Sequence, residues 1–145
     1  MSRENVELAL AVQAASDVDF AQLFRDDKLW TAWTEANARF FHPDFECVRP
    51  GLPDGKIIYI GLNGLRDTWR EWLAPWTTYR VDIEDTIDLG HRVLVLAHVF
   101  GRLEGSQAEV ENTVATVWTV RDGSLVRGEF YLDRAEALKA VGLQE

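Results

Sequence analysis

Of the side chains that could move a proton or hold a charge, His98 is the most conspicuous, because it interrupts the apolar run from Val93 to Phe100. Set between Ala97 and Val99, it should be at least partly buried, so its ring nitrogens need partners. It reads either as a core histidine bonded to backbone or a neighbour, or as a pocket base titrating near neutrality. Arg49 follows Glu46-Cys47-Val48, and burying its guanidinium without a carboxylate or ligand anion would be costly. It either lays its stem on apolar surface with its head at a rim, or turns inward to clamp an acidic or enolate-like group. Tyr59 could pack, or donate a phenolic hydrogen bond into the same space. If the chain is catalytic, His98 would be its acid or base, with Arg49 and Tyr59 stabilising negative charge.

Other reactive residues read as structural. Asp133 with Glu136 three residues later has the pattern of a helix cap, and Arg127 with Glu129 that of an ion pair. His42, His91 and His98 lack metal-ligand spacing, and Cys47 is the sole cysteine, so neither a metal site nor a disulfide is expected. Gly61-Leu62-Asn63-Gly64 lacks the Lys-Ser/Thr of a phosphate loop and the third glycine of a dinucleotide turn. No Gly-x-Ser-x-Gly elbow occurs. No cofactor is expected.

Elements able to position these residues are legible from periodicity. Val6, Ala9 and Leu10 share a helical face, with Ser2 available as a cap. After Ser16-Asp17, Phe20, Leu23 and Phe24 recur at helical spacing, and Trp30, Trp33, Asn37, Phe40 and Phe41 continue the stripe beyond an interruption at Asp26-Asp27. Pro43 stops it. Phe45 to Arg49 and Lys56 to Ile60 read as short strands around Leu52-Pro53-Asp54-Gly55 turn chemistry. Leu65, Trp69, Trp72, Leu73 and Trp76 form the apolar face of a third helix ended by Pro75. Strands follow from Tyr79, through Val93 to Phe100, Val110 to Val120 and Leu125 to Leu132, before a final helix closed by Gly142. Helices first and then a mainly antiparallel sheet is α+β in one domain, residues 1–145.

Composition narrows the function. Hydrophobic residues at 47% and charged residues at 27% fit a globular domain rather than a disordered one. The net charge of −9 would be repelled by phosphate backbones and anionic lipid, so no nucleic-acid partner is expected. No apolar run approaches the roughly 18 residues of a membrane span. Met-Ser-Arg-Glu-Asn is not followed by a signal-peptide core, so a cytoplasmic location is expected.

Asp122-Gly123 is the strongest hairpin signal, and a plain two-residue turn sets Arg121 opposite Ser124. Thr119, Val117, Ala115 and Thr113 would then face Val126, Gly128, Phe130 and Leu132, on a small apolar face covered by the tryptophan-rich helices. Trp118, Arg127, Glu129 and Tyr131 would share the other face, a mixture suited to a homodimer contact. A β-bulge would reverse this assignment.

Beyond the order of elements, His42-Pro43-Asp44, Tyr59-Ile60-Gly61 before Gly64-Leu65-Arg66, Arg121-Asp122-Gly123, and above all Tyr131-Leu132-Asp133-Arg134-Ala135-Glu136 closing with Val141-Gly142-Leu143, resemble the SnoaL-like proteins of the NTF2-like superfamily. The resemblance covers essentially the whole chain. It implies a cone: a curved, mainly antiparallel sheet wrapped around three helices of the N-terminal half, with a short C-terminal helix, a pocket at the open end and frequent dimerisation through the sheet. Relatives include polyketide cyclases, ketosteroid isomerases, epoxide hydrolases and proteins with no known reaction, so the fold transfers and the activity does not. By placement, the cyclase and hydrolase aspartate looks like Phe130 here, and its partner like Ala115 or Val117. The isomerase base falls at Arg49-Pro50. The pocket is expected to be lined by Trp33, Trp69, Trp72, Ala115, Val117 and Phe130, and to take a small apolar or aromatic molecule. Two functions remain open: acid–base isomerase, cyclase or hydrolase chemistry, and non-catalytic ligand binding.

Overall fold

A computed structural model describes residues 2–13, 16–52 and 55–143. In chain order the elements are α1 (Ser2–Ala11), α2 (Phe20–Arg25), α3 (Asp27–Asn37), a 3-10 turn (Ala38–Phe40), β1 (Phe41–Leu52), β2 (Gly55–Ile60), α4 (Gly61–Leu73), β3 (Trp76–Asp88), β4 (Arg92–Leu103), β5 (Val110–Arg121), β6 (Ser124–Tyr131) and α5 (Arg134–Ala140). The expected second helix is two helices. Asp26 ends α2 and caps α3, its carboxylate accepting from the amides of Lys28 (2.8 Å) and Leu29 (3.1 Å). Four helices, not three, therefore precede β3. Trp76, expected on the third helix, instead opens β3, because α4 stops at Leu73 ahead of Pro75.

The six strands form one sheet in the order β2-β1-β6-β5-β4-β3, antiparallel throughout except for β1 beside β6. Pro43 is tolerated inside β1 because the pairing with β6 skips from Phe41 to Glu46. The last expected cap is present: Asp133 accepts from the Ala135 amide at 2.9 Å and starts α5. Among the described residues no helix is long and apolar enough to cross a membrane.

The hairpin departs from the simplest expectation. Asp122 and Gly123 both adopt positive φ (51° and 77°), as the tight turn requires, and Arg121 pairs with Ser124. Val120 then pairs with Leu125 but Thr119 pairs with Arg127, leaving Val126 as an extra residue. From there every side chain on β6 changes face relative to β5. Trp118 now lies opposite Gly128, and Thr116 opposite Phe130. Trp118 is only 4% exposed, within the main core beside Phe45 and Phe41. It is therefore not part of an outer contact face. Gly128 makes room for it, since a Cβ there would sit 3.0 Å from the rings of both Phe45 and Trp118.

Two apolar clusters result, one on each side of the sheet. Val93, Val95, Ala97 and Val99 of β4 join Phe45, Cys47, Trp118 and the helices in the main core. Leu94, Ala115, Val117 and Tyr131 form a smaller cluster with Ala137 of α5 on the other side. The near-continuous apolar run of β4 follows from this double coverage.

Candidate functional site

Inside the curve of the sheet lie two adjoining hollows of about 80 and 60 Å³ that share Trp69, Val114, Thr116 and Phe130 as walls. Trp69 meets Phe130 edge-on at 5.5 Å between these lobes. The first lobe is bordered by Arg49 and Pro50 of β1, Thr68 and Trp72 of α4, Tyr79 of β3, and the ends of β5 and β6. The second runs under α2 and α3, against Phe20, Phe24, Trp33, Phe41 and Trp118, with Gln13 at its edge.

Each wall is held in place by identifiable bonds. Arg25 donates to the carbonyls of Leu73, Ala74 (3.4 Å) and Trp76 (2.8 Å), tying α2 to the end of α4. Arg66 of α4 donates to the Phe24 carbonyl at 2.9 Å and pairs with Asp27 at 2.8 Å. Gly64 lets α4 lie directly on β2, as a Cβ there would stand 2.8 Å from that of Tyr59.

Among the described residues neither lobe is lined by an aspartate, glutamate or histidine, and Arg49 is the one ionised side chain. Thr68 is 3% exposed and Tyr79 1% exposed. The Thr68 hydroxyl stands beside the Cys47 thiol, near enough to favour the thiolate but without the geometry of a formed hydrogen bond. Burial dominates there and pushes the thiol up to about 12, so Cys47 stays protonated. Burial likewise raises the Tyr79 phenol, opposed by the nearby Trp72 indole N–H. That N–H too is buried without a well-formed partner.

The sequence-derived site residues separate in space. Arg49, Trp69, Trp72, Ala115 and Phe130 border the first lobe, and Trp33 the second. Val117 does not line either lobe: Trp118 beside it faces the main core, so strand alternation puts Val117 in the cluster beneath α5. Ala115 belongs to that cluster as well, and touches the cavity between Val114 and Thr116.

His98 lies across the sheet from the cavity. Its parity is that of Leu94 and Leu96, opposite to the core-facing Val95, Ala97 and Val99. Its Nδ1 is 3.3 Å from Glu84 and its Nε2 3.6 Å from Glu111, and its ring stacks on Phe100 at 4.7 Å. Arg134 also reaches Glu84 (3.3 Å), and this hydrogen bond is the main cause holding that carboxyl below its ordinary range. Tyr59 donates to the Glu71 carboxylate and borders neither lobe; that bond, first among the causes, raises its phenol. The constellation His98, Arg49 and Tyr59 is thus not assembled.

Sequence reasoning passed over Thr68, Tyr79 and Thr116. Thr68 and Trp72 share a helical face four residues apart, and Tyr79 shares a strand face with Val81. Those two signals were readable. Thr116 was hidden by the bulge.

The SnoaL-like domain family matches residues 18–128. No curated protein gives a significant match. Among solved structures, a protein assigned as a SnoaL-like polyketide cyclase from Jannaschia sp. CCS1 superposes with a TM-score of 0.67 at 17% identity, covering 99% of this chain and 94% of the other. TerC, co-crystallised with polyporic acid, gives 0.63 at 22% identity over 96% of this chain and 98% of its own. A protein of ketosteroid isomerase-like fold from Catenulispora acidiphila DSM 44928, in complex with trimethylamine, gives 0.59 at 18%, covering 94% and 93%. At such identities the superpositions establish the fold alone, an NTF2-like cone. With the family match spanning most of its length, the chain belongs to the SnoaL-like domain family.

Proposed function

We propose that this protein binds a small apolar or aromatic molecule inside its cone. The observation that carries the reading is the lining, aromatic in both lobes and, among the described residues, free of carboxylate and imidazole groups. Isomerase, cyclase or hydrolase chemistry needs a proton-transfer group within hydrogen-bond reach of the reacting atom. Here the side chains available are the hydroxyls of Thr68, Tyr79, Thr116 and Tyr131 and the guanidinium of Arg49. Binding without turnover is the function such a lining favours. TerC, a structural neighbour co-crystallised with polyporic acid, supports a small-molecule guest.

Calorimetric titration with 2-naphthol tests it. Thr116 borders both lobes, so Thr116→Phe should fill the hollow and weaken binding about ten-fold or more, a loss of about 1.4 kcal/mol. His98→Gln, across the sheet, should leave affinity within about two-fold. Equal binding by wild type and Thr116→Phe, or loss in His98→Gln, would refute the assignment.

We propose also that two copies pair through the outer sheet face. Arg127 there meets Glu46 (3.4 Å) and Glu129 (3.7 Å), and Tyr131 donates to Glu129 at 3.1 Å; Arg and Tyr are types enriched at subunit contacts. Sedimentation at micromolar concentration should give twice the 16.5 kDa chain mass. A monomer would remove the dimer.

A further inference from the structure

We propose that the ligand is an anion: an apolar or aromatic acid whose carboxylate lies against Arg49, Thr68 and Tyr79 in the first lobe. This assignment rests on the cavity-binding reading and narrows it to a chemical class.

The polar side chains around that lobe supply donors out of proportion to acceptors. Arg49 and Trp72 can only donate, Thr68, Tyr79, Thr116 and Tyr131 can do both, and among the described residues no lining side chain only accepts. Among the described residues no hydrogen bond or ion pair is recorded for Arg49, yet it is partly shielded from water. Its charge reaches the Cys47 thiol and the Tyr59 phenol, offsetting in small part the larger effects that raise them. A half-buried guanidinium without a counter-charge is a costly arrangement, and a ligand carboxylate would relieve it bidentately.

The buried hydroxyls point the same way. Thr68 Oγ1 and Trp72 Nε1 are both sealed from solvent with no formed hydrogen bond. Beside Thr68 burial keeps the thiol protonated, so no charged acceptor competes there for the hydroxyl hydrogen. Trp72 can only donate toward the Tyr79 oxygen, leaving the phenolic hydrogen to point elsewhere. Each pair thus ends in an O–H group on a residue that borders the same lobe as the guanidinium. Tyr131 is already engaged, donating to Glu129. A cation or a purely apolar guest would leave Arg49 and both buried donors unsatisfied; an acid satisfies them together. Because the chain carries −9 overall, long-range attraction cannot explain anion binding, so selectivity must come from Arg49 and its neighbours.

The test is calorimetric titration of the full chain at pH 7 with cinnamate and 2-naphthoate, each beside its uncharged amide. Acids should bind about ten-fold or more tightly than amides, as expected for charge-assisted hydrogen bonds. Arg49→Gln should abolish that preference, Arg49→Lys should restore part of it, and Thr68→Val should weaken the acids alone. Amides binding as well as acids to wild type would overturn the anion assignment while leaving cavity binding intact. A preference that survives in Arg49→Gln would do the same. Failure of acids and amides alike would overturn both readings. The wild-type comparison needs no variant, so it stands even if a substitution prevents folding.

Discussion

Trp69→Ala is expected to lower stability by about 3–5 kcal/mol, the range found for removing a large ring from a packed core. Trp69 stacks on Phe24 (5.4 Å, 11°) and meets Phe20 at 5.3 Å, Phe130 at 5.5 Å and Tyr79 at 6.0 Å. It therefore joins α2, α4, β3 and β6 at one point, and each aromatic pair adds about 0.5–1.5 kcal/mol beyond buried area. Against a total of about 5–15 kcal/mol for a domain, that is a large share. The melting temperature followed by circular dichroism should fall by about 6–20 °C. Trp69→Phe, which keeps a ring between the lobes, should lose clearly less. A shift of under about 3 °C for Trp69→Ala would show that the ring cluster does not depend on this residue. Removing the shared wall should also merge the hollows, so the surviving variant should accept a guest too long for either lobe.

Much of this architecture is legible in the residues themselves, where a local cause is strong. Asp122-Gly123 makes its tight turn because both positions need positive φ. Asp133 caps α5 because its carboxylate reaches an otherwise unpaired amide. The interruption at Asp26-Asp27 is real for the same reason. What could not be read is the face of each strand. Val126 resembles any strand residue, so nothing local marks it as the bulge; the cause is tertiary, the Trp118 ring lying across Gly128. A glycine in a strand was the available hint. His98 illustrates the same limit. The run around it is apolar on both sides because α5 covers Leu94 while the helices cover Val95 and Val99. At His98 and Phe100 that outer coverage gives way to a ring stack and two glutamates.

Asp19→Ala should cost about 2–4 kcal/mol, more than a surface carboxylate ordinarily would, because one oxygen serves two elements. Its Oδ1 accepts from the Ala21 amide at 3.0 Å, capping α2, and from the Tyr79 amide at 2.9 Å, some sixty positions later on β3. Loss of the cap alone is worth about 0.5–2 kcal/mol, and an orphaned buried amide about 1–3 kcal/mol. Nothing in the sequence marks Asp19 for both roles, since the second acceptance depends on a strand that only folding brings near. Asp19→Asn keeps an acceptor oxygen and should recover most of the loss in thermal melts. The same bond fixes the backbone that carries the Tyr79 hydroxyl into the cavity, so Asp19→Ala should also weaken 2-naphthoate binding, measured well below its melting temperature. If Asp19→Asn proved as damaging as Asp19→Ala, the negative charge rather than the shared acceptor would be holding α2 against β3.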